Sequence, residues 1–181
     1  MTFNAFKFGL NDVKVANWTA VESYGSAVDV ESVQMSGVDI ETESGILDGD
    51  DAITDVHAKI ISIRFRIRFG FKDLDVVAAL TGITVTDSDP NAQVLPIARD
   101  NMDFFAMCMR VDATDGGGDT QIWLPKAKLL DGFSFSLEKG QYATPEMGGI
   151  GIYEGSTHGM GWIINNAVAQ SVTCPPTVYA G

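Results

Sequence analysis

Residues 58–71 read AKIISIRFRIRFGF, and the alternation within this stretch decides the fold class. The apolar side chains occupy every second position, namely Ile61, Ile63, Phe65, Ile67 and Phe69. Ser62, Arg64, Arg66 and Arg68 lie between them. A period of two is typical of a β-strand with one apolar and one polar face. We therefore predict a long strand whose apolar face packs on a core.

A short helix is predicted directly after this strand, in KDLDVVAALTG at about residues 73–82. Asp73 is a candidate helix cap, and Gly82 is a natural C-terminal stop. Helical spacing places four side chains on one face, namely Leu74, Val77, Ala78 and Thr81. A helix of about two turns is unstable alone, so we expect it to pack on a sheet.

Most of the remaining chain has the pattern of further strands. Residues 30–43 are predicted to form a strand interrupted near Gly37 by a bulge. Residues 103–111 and 120–130 flank a glycine-rich connection, which favours a hairpin. Three later strands are predicted at 132–139, 148–154 and 159–168. The chain is predicted to be mainly β, a β-sandwich or barrel in a single domain 1–181 with an N-terminal arm at about 1–20 and a C-terminal segment at about 156–181.

The connection SGILDGDDAITD, residues 44–55, concentrates four aspartates beside apolar side chains. Counted from Asp48 as an EF-hand loop, position five is Ala52 and position twelve is Lys59, so the calcium pattern fails. A solvated turn is favoured over adventitious divalent binding. Apolar residues in an exposed loop also indicate a surface for a partner. The residues of interest are Ile46, Leu47, Asp48, Asp50, Asp51 and Ile53.

Charge is distributed unevenly along a chain whose formal net charge is −12. Residues 1–57 carry eleven acids against two lysines, whereas residues 58–72 carry five basic residues and no acid. Three arginines on one strand face need either solvent or carboxylate partners. The candidate partners lie on an adjacent strand, at Asp39 and Glu41, or on another copy of the chain. The candidate arginines are Arg64, Arg66 and Arg68.

Catalytic chemistry is poorly represented, and we predict that the chain is not an enzyme. His57 and His158 are the only histidines, and no serine or cysteine stands in a recognisable nucleophile motif. No catalytic residue, metal site or cofactor is predicted. Cys108 is interpreted as a buried structural thiol, and a disulfide framework is not supported.

The order of these motifs resembles the major tail tube proteins of long-tailed bacteriophages. The resemblance covers about residues 20–155 and is carried by ILDGDD, the long alternating strand, a helix ending in LTG, WLPKAKL and FSFSLEKGQY. It implies a β-sandwich that closes with its neighbours into six-membered rings. The rings would stack into a hollow tube, and the loop at about 43–56 would reach the next ring.

The resemblance also implies partners and a location. The partners are other copies of the chain, the tape measure protein, and the tail terminator and distal tail proteins. DNA would pass through the tube without specific binding, no membrane is involved, and assembly takes place in the host cytoplasm before the protein resides in the virion tail. Two alternatives remain: an inner tube protein of a contractile tail or injection machine, and a binding or adhesive β-sandwich module.

Overall fold

The computed structural model describes residues 7–48, 53–70, 74–89, 92–94, 102–113, 118–132, 144–155, 159–168 and 170–176. Within these ranges the chain forms eleven β-strands and one short α-helix. The predicted class, mainly β with a single short helix, is confirmed. The predicted strand at 132–139 lies outside the described residues except for Gly132.

The strands and the helix have the following bounds. The first strands are β1 Lys7–Ala20, β2 Ser23–Tyr24, β3 Val28–Asp29, β4 Val33–Asp48 and β5 Ile53–Phe69. They are followed by α1 Leu74–Thr81, β6 Thr86–Asp89 and β7 Ala92–Val94. The last strands are β8 Phe105–Ala113, β9 Asp119–Leu129, β10 Glu146–Gly151 and β11 Trp162–Asn166.

Nine of the described strands form one antiparallel sheet, with β6 and β7 paired separately. The order is β2-β1-β8-β9-β10-β5-β4, with β3 also beside β1 and β11 beside β9. Although four strands separate β1 from β4 in this order, the two strands are in contact. The sheet therefore curls around its own core, as a partly closed barrel does.

The core lies inside this curl and is built from the inward face of each strand. On β5 the predicted alternation holds from Ile63 to Phe69, whose apolar side chains are buried. Ile61 departs from it, because β5 carries an extra residue where Glu41 pairs with Ser62 and Thr42 pairs with Ile60. Ile61 is consequently exposed.

The helix α1 covers part of the core, against β1, β3, β8 and β9. Gly82 ends it as predicted, with a φ of 75° and an N–H that donates to the Ala78 carbonyl at 2.7 Å. The predicted buried face was wrong at Leu74 and Ala78, which are only half-buried. The helix contacts several strands at once, so its buried stripe is wider and comprises Val76, Val77, Ala79, Leu80 and Thr81.

The candidate cap Asp73 lies outside the described residues. No helix in the described part of the chain is long and apolar enough to cross a membrane.

Two predictions that concern β4 were wrong. Gly37 pairs regularly with Arg66, and the register instead shifts between Val33 and Met35 and again after Glu41. The expected loop at 43–56 is largely strand, because residues 43–48 pair with residues 53–59. Acidic side chains suggested a loop, but an antiparallel pair tolerates them when they point to solvent. Asp50 and Asp51 lie outside the described residues.

The N-terminal stretch is also different from the expectation. Residues 7–20 form β1, which pairs along its length with β8 and on its other side with the short strands β2 and β3, rather than extending as an arm. Val13 and Val15 are fully buried in the core, and Ala16 is buried on the opposite face. Their burial on both faces explains why this strand belongs to the body of the fold.

The C-terminal segment covers the outer face of the sheet. β11 pairs with β9, and Val172 and Cys174 pack on Ala106 and Trp123. This second cluster lies on the side of β8 opposite Met107, which faces the main core. The fold therefore has an inner core and a smaller outer one.

The predicted hairpin of β8 and β9 is present and antiparallel. Its register shifts where Met107 pairs with Leu124 and Phe105 pairs with Ala127. Pro125 lies in this irregularity, which is where a strand accepts a residue without an N–H. The strand expected at 148–154 appears as β10, shifted toward the N-terminus, and the strand expected at 159–168 appears as the shorter β11.

Candidate assembly surface

The hairpin of β4 and β5 extends beyond the rest of the sheet. β10 pairs with β5 only from Ile63 to Arg68. Beyond Ile63, and within the described residues, β4 and β5 pair only with each other. We call residues 40–48 and 53–62 the ribbon. A two-stranded ribbon is marginally stable in water, so a surface that covers it would stabilise it.

One face of the ribbon continues the core face of the sheet. Ile40 pairs with the buried Ile63, and directly opposite residues of an antiparallel pair share a face. Alternation along β4 places Ile46 on this face as well, and Thr42 brings its partner Ile60 to it. Ile40, Ile46 and Ile60 are 50%, 59% and 50% exposed. The face that covers the core in the sheet therefore continues onto the ribbon, where its three isoleucines are exposed to solvent.

The other face of the ribbon is charged. Glu41 accepts a hydrogen bond from Ser62 and forms an ion pair with Arg64, whose Nε lies 2.7 Å from its Oε1. Glu43 lies opposite Lys59 in the register. Opposite charges across a pair of strands stabilise the pairing modestly. The ribbon therefore presents one apolar and one charged face.

The three candidate arginines have different surroundings. Arg64 pairs with Glu41, and Arg68 pairs with Glu146 on β10, where its Nε also donates at 3.1 Å. Arg66 lies opposite Gly37 on one side and Gly148 on the other. It is exposed and forms no ion pair with any described residue. Exposed pairs of this kind contribute about 0–1 kcal/mol each.

Asp39 lies opposite Arg64 in the register, yet Arg64 pairs with Glu41 instead. The carboxylate of Asp39 is exposed and makes no ion pair within the described ranges. One face of the β4–β5 hairpin therefore carries a cation, Arg66, and an anion, Asp39, that form no ion pair with any described residue. The two charges are complementary between copies of the chain.

Asp119 has a structural role that the sequence did not reveal. It is fully buried, and it accepts hydrogen bonds from Asn166 Nδ2 at 2.6 Å, Gln121 Nε2 at 3.0 Å and the Gln170 N–H at 3.1 Å. Arg110 Nε lies 3.4 Å from its Oδ2. The carboxylate thus connects β9 to β11, β8 and the C-terminal segment. Its position at the end of a glycine-rich stretch gave no signal of this role.

Glu154 is a second buried carboxylate that the sequence analysis missed. It accepts hydrogen bonds from Trp18 Nε1 at 2.6 Å, Tyr24 Oη at 2.8 Å and the Glu22 N–H at 3.2 Å. Burial, followed by the bond to Glu154, raises the pKa of Tyr24 well above its usual value. Lys126 Nζ lies 4.0 Å from the centre of the Trp18 ring. These contacts hold the β1–β2 turn against the segment that follows β10.

An open groove of about 560 Å³ lies beside β1 and β3. Its charged lining consists of Asp12, Asp29, Glu31 and Arg110. Burial and then the charge of Asp29 raise the pKa of Asp12 above its usual value. In the described part of the chain, no group of three or more histidine, cysteine or acidic side chains is placed to hold a metal ion. The groove is an acidic surface feature, separate from the ribbon.

Comparisons with known proteins do not identify a family for this chain. No protein family model matches this chain, and no curated protein matches it significantly.

Proposed function

We propose that this chain is a structural subunit that self-assembles into stacked, hexameric rings, forming the hollow tail tube of a long-tailed bacteriophage. The observation that carries the proposal is the ribbon, with its exposed isoleucines at and beyond the end of the sheet. Such a face is costly in a monomer and is accounted for if another subunit covers it. Other copies of the chain, the tape measure protein, and the terminator and distal tail proteins are the partners that this proposal implies.

The energetics of the ribbon suit repeated contacts between rings. Burying the exposed half of three isoleucines contributes roughly 1 kcal/mol each, from the ~1.5–3 kcal/mol of full burial. One such contact is weak, but the subunits of a closed ring present their ribbons together. Several weak contacts acting together hold two rings far more tightly than one contact does.

The edge of the sheet supports contacts within a ring. β4 is the last strand in the sheet order, so its outer edge has no partner strand among the described residues. An unpaired edge offers a row of N–H and C=O groups to a strand of another chain. Lateral pairing along β4 and axial packing on the isoleucines are compatible, because they use the edge and the face of the same strand.

Negative-stain electron microscopy of the purified full chain, over a range of protein and salt concentrations, tests this proposal. We expect rings and hollow tubes of uniform diameter. A chain that sediments as a folded monomer at every protein and salt concentration would show that it is not a tube subunit. Compact oligomers without a central channel would also contradict the proposal.

Arg66 provides a test of the charged face. Changing Arg66 to Glu should leave the free energy of unfolding within about 0.5 kcal/mol, since the side chain is exposed and faces glycines. Tube growth should require at least about tenfold more protein. The new carboxylate at position 66 would be repelled by Asp39 of the neighbouring copy, which Arg66 attracts. Sedimentation velocity gives the critical concentration, and thermal unfolding gives the stability.

Arg66→Lys is the matched control for this change. It keeps the charge, so its critical concentration should lie close to that of the unchanged chain. If Arg66→Glu assembles at the same concentration as the unchanged chain, Arg66 does not lie at a subunit contact.

Intact tubes should not bind duplex DNA appreciably, although DNA would pass through them. Phosphate binding needs clustered basic side chains, and this chain has 12 Lys and Arg against 24 Asp and Glu. Lys126 and Lys128 lie over the Phe104 ring, which further limits their reach. A negative lumen would repel DNA over a Debye length of about 8 Å at physiological salt. A gel-shift titration at low salt measures this, and tight, salt-sensitive binding would contradict the conduit role.

A further inference from the structure

The two cysteines of this chain meet in the outer core. Cys108 lies on β8 and Cys174 lies in the C-terminal segment, and their Sγ atoms are 2.8 Å apart. Both are free thiols, and their exposed fractions are 1% and 6%. The residues are 66 positions apart in sequence, so only the folded chain brings them together.

The surroundings of the pair are apolar and hold both sulfur atoms in place. Ala16, Ala106, Trp123 and Val172 pack around them. Burial, followed by the hydrogen bond to Cys174, raises the pKa of Cys108 well above its usual value. Cys108 therefore stays a protonated thiol at neutral pH and reacts slowly by itself. Cys174 is the more exposed of the two and lies on a segment without regular secondary structure.

We propose that Cys108 and Cys174 form a convertible dithiol–disulfide pair that fastens residues 170–176 to β8 when a small-molecule disulfide oxidises it. The observation is the direct contact of two buried thiols, which leaves only a small displacement before a bond can form. The inference does not depend on the proposed function. It identifies the two cysteines of the outer core as a site of oxidation, and the resulting disulfide would join the C-terminal segment covalently to β8.

The exchange has two steps, with oxidised glutathione as the oxidant. The Cys174 thiolate attacks one sulfur of the glutathione disulfide, whose S–S bond breaks, and one glutathione leaves as a thiolate that takes up a proton. Cys108 then gives up its proton as its sulfur attacks the Cys174 sulfur, and the second glutathione leaves as a thiolate that takes up a proton. Two protein thiols are oxidised to one disulfide, and one glutathione disulfide is reduced to two thiols.

The bond should stabilise the folded chain by restricting the unfolded one. It closes a loop between residues 66 positions apart, and long loops lose the most entropy when they are closed. The unfolding equilibrium should shift by roughly a hundredfold to a thousandfold toward the folded state. The thermal midpoint should rise by roughly 6–12 °C.

The test compares the full chain before and after equilibration with oxidised glutathione under native conditions. Each sample is then unfolded, treated with N-ethylmaleimide without reductant and weighed intact by mass spectrometry. We expect two alkyl groups on the reduced chain and none on the oxidised chain, with oxidation lowering the mass by two hydrogen atoms. Oxidation should also raise the thermal midpoint, and a reductant should reverse both changes.

Two single variants, Cys108→Ser and Cys174→Ala, serve as controls. Each should lose the midpoint rise on oxidation, and a rise that persists in either would mean that the stabilisation has another source. The unchanged chain decides the proposal even if a variant folds poorly. Stable glutathione adducts, disulfide-linked dimers, or two alkylatable thiols after equilibration would each overturn it.

Discussion

Changing Ile46 and Ile60 together to Asp is expected to abolish ring and tube formation while the monomer stays folded. Both side chains are at least half exposed in the single chain, so their loss removes little buried surface there. In an assembly each change removes roughly 1 kcal/mol of apolar burial and adds a carboxylate that costs several kcal/mol to desolvate. The association constant per contact should fall by at least about a thousandfold, which corresponds to about 4 kcal/mol.

The measurements for this variant are sedimentation velocity for assembly and circular dichroism for the fold. Changing the same two residues to Thr, which keeps the β-branched shape, should weaken assembly by a smaller amount. Ile163 on β11 is the matched control, because it is 66% exposed and lies outside the ribbon. If the double variant still forms tubes, or if Ile163→Asp blocks them equally, the ribbon is not the specific contact.

Changing Asp119 to Ala should destabilise the fold by about 3–5 kcal/mol, because the donors around a buried carboxylate lose their common acceptor. Gln121, Asn166 and the Gln170 N–H all donate to Asp119. The thermal midpoint should therefore fall by roughly 10 °C. Part of this loss should appear as release of the C-terminal segment, which hydrogen exchange at Gln170 detects.

Two comparisons separate the role of this network from a general charge effect. Asp119→Asn keeps the shape but turns an amide NH₂ toward one donor, so its midpoint should lie between those of Asp119→Ala and the unchanged chain. Asp39→Ala removes an exposed carboxylate and should change stability by no more than about 0.5 kcal/mol. Equal midpoints for Asp119→Ala and Asp39→Ala would show that the buried network contributes nothing.

Local patterns in the sequence were sufficient for the elements that are regular over several residues. The alternation in residues 63–69 predicted a strand with one buried face, and the structure has it in β5. The helix ending at Gly82 and the hairpin of β8 and β9 were predicted for the same reason. In each case the signal is carried by near neighbours in the chain, whose spacing reflects the geometry of the element.

Composition was a poor guide where polar side chains occur within strands. The acids and glycines of residues 43–56 favoured a loop, whereas most of these residues pair across a hairpin. Acidic, small and apolar side chains do not alternate strictly in residues 43–48, so the pairing of this stretch depends on its partner strand. The placement of residues 7–20 likewise depended on β8, which lies far along the chain.

The side-chain partners that lie far apart in the sequence were decided by the tertiary structure. The sequence predicted that the arginine face needs carboxylates, and Glu41 is near enough in the chain to be named from a hairpin register. Glu146, the partner of Arg68, and Cys174, which meets Cys108, are brought close only by the order of strands in the sheet. Period and charge along a sequence specify which face of a strand is buried, whereas the curl of the sheet decides which distant side chains meet on that face.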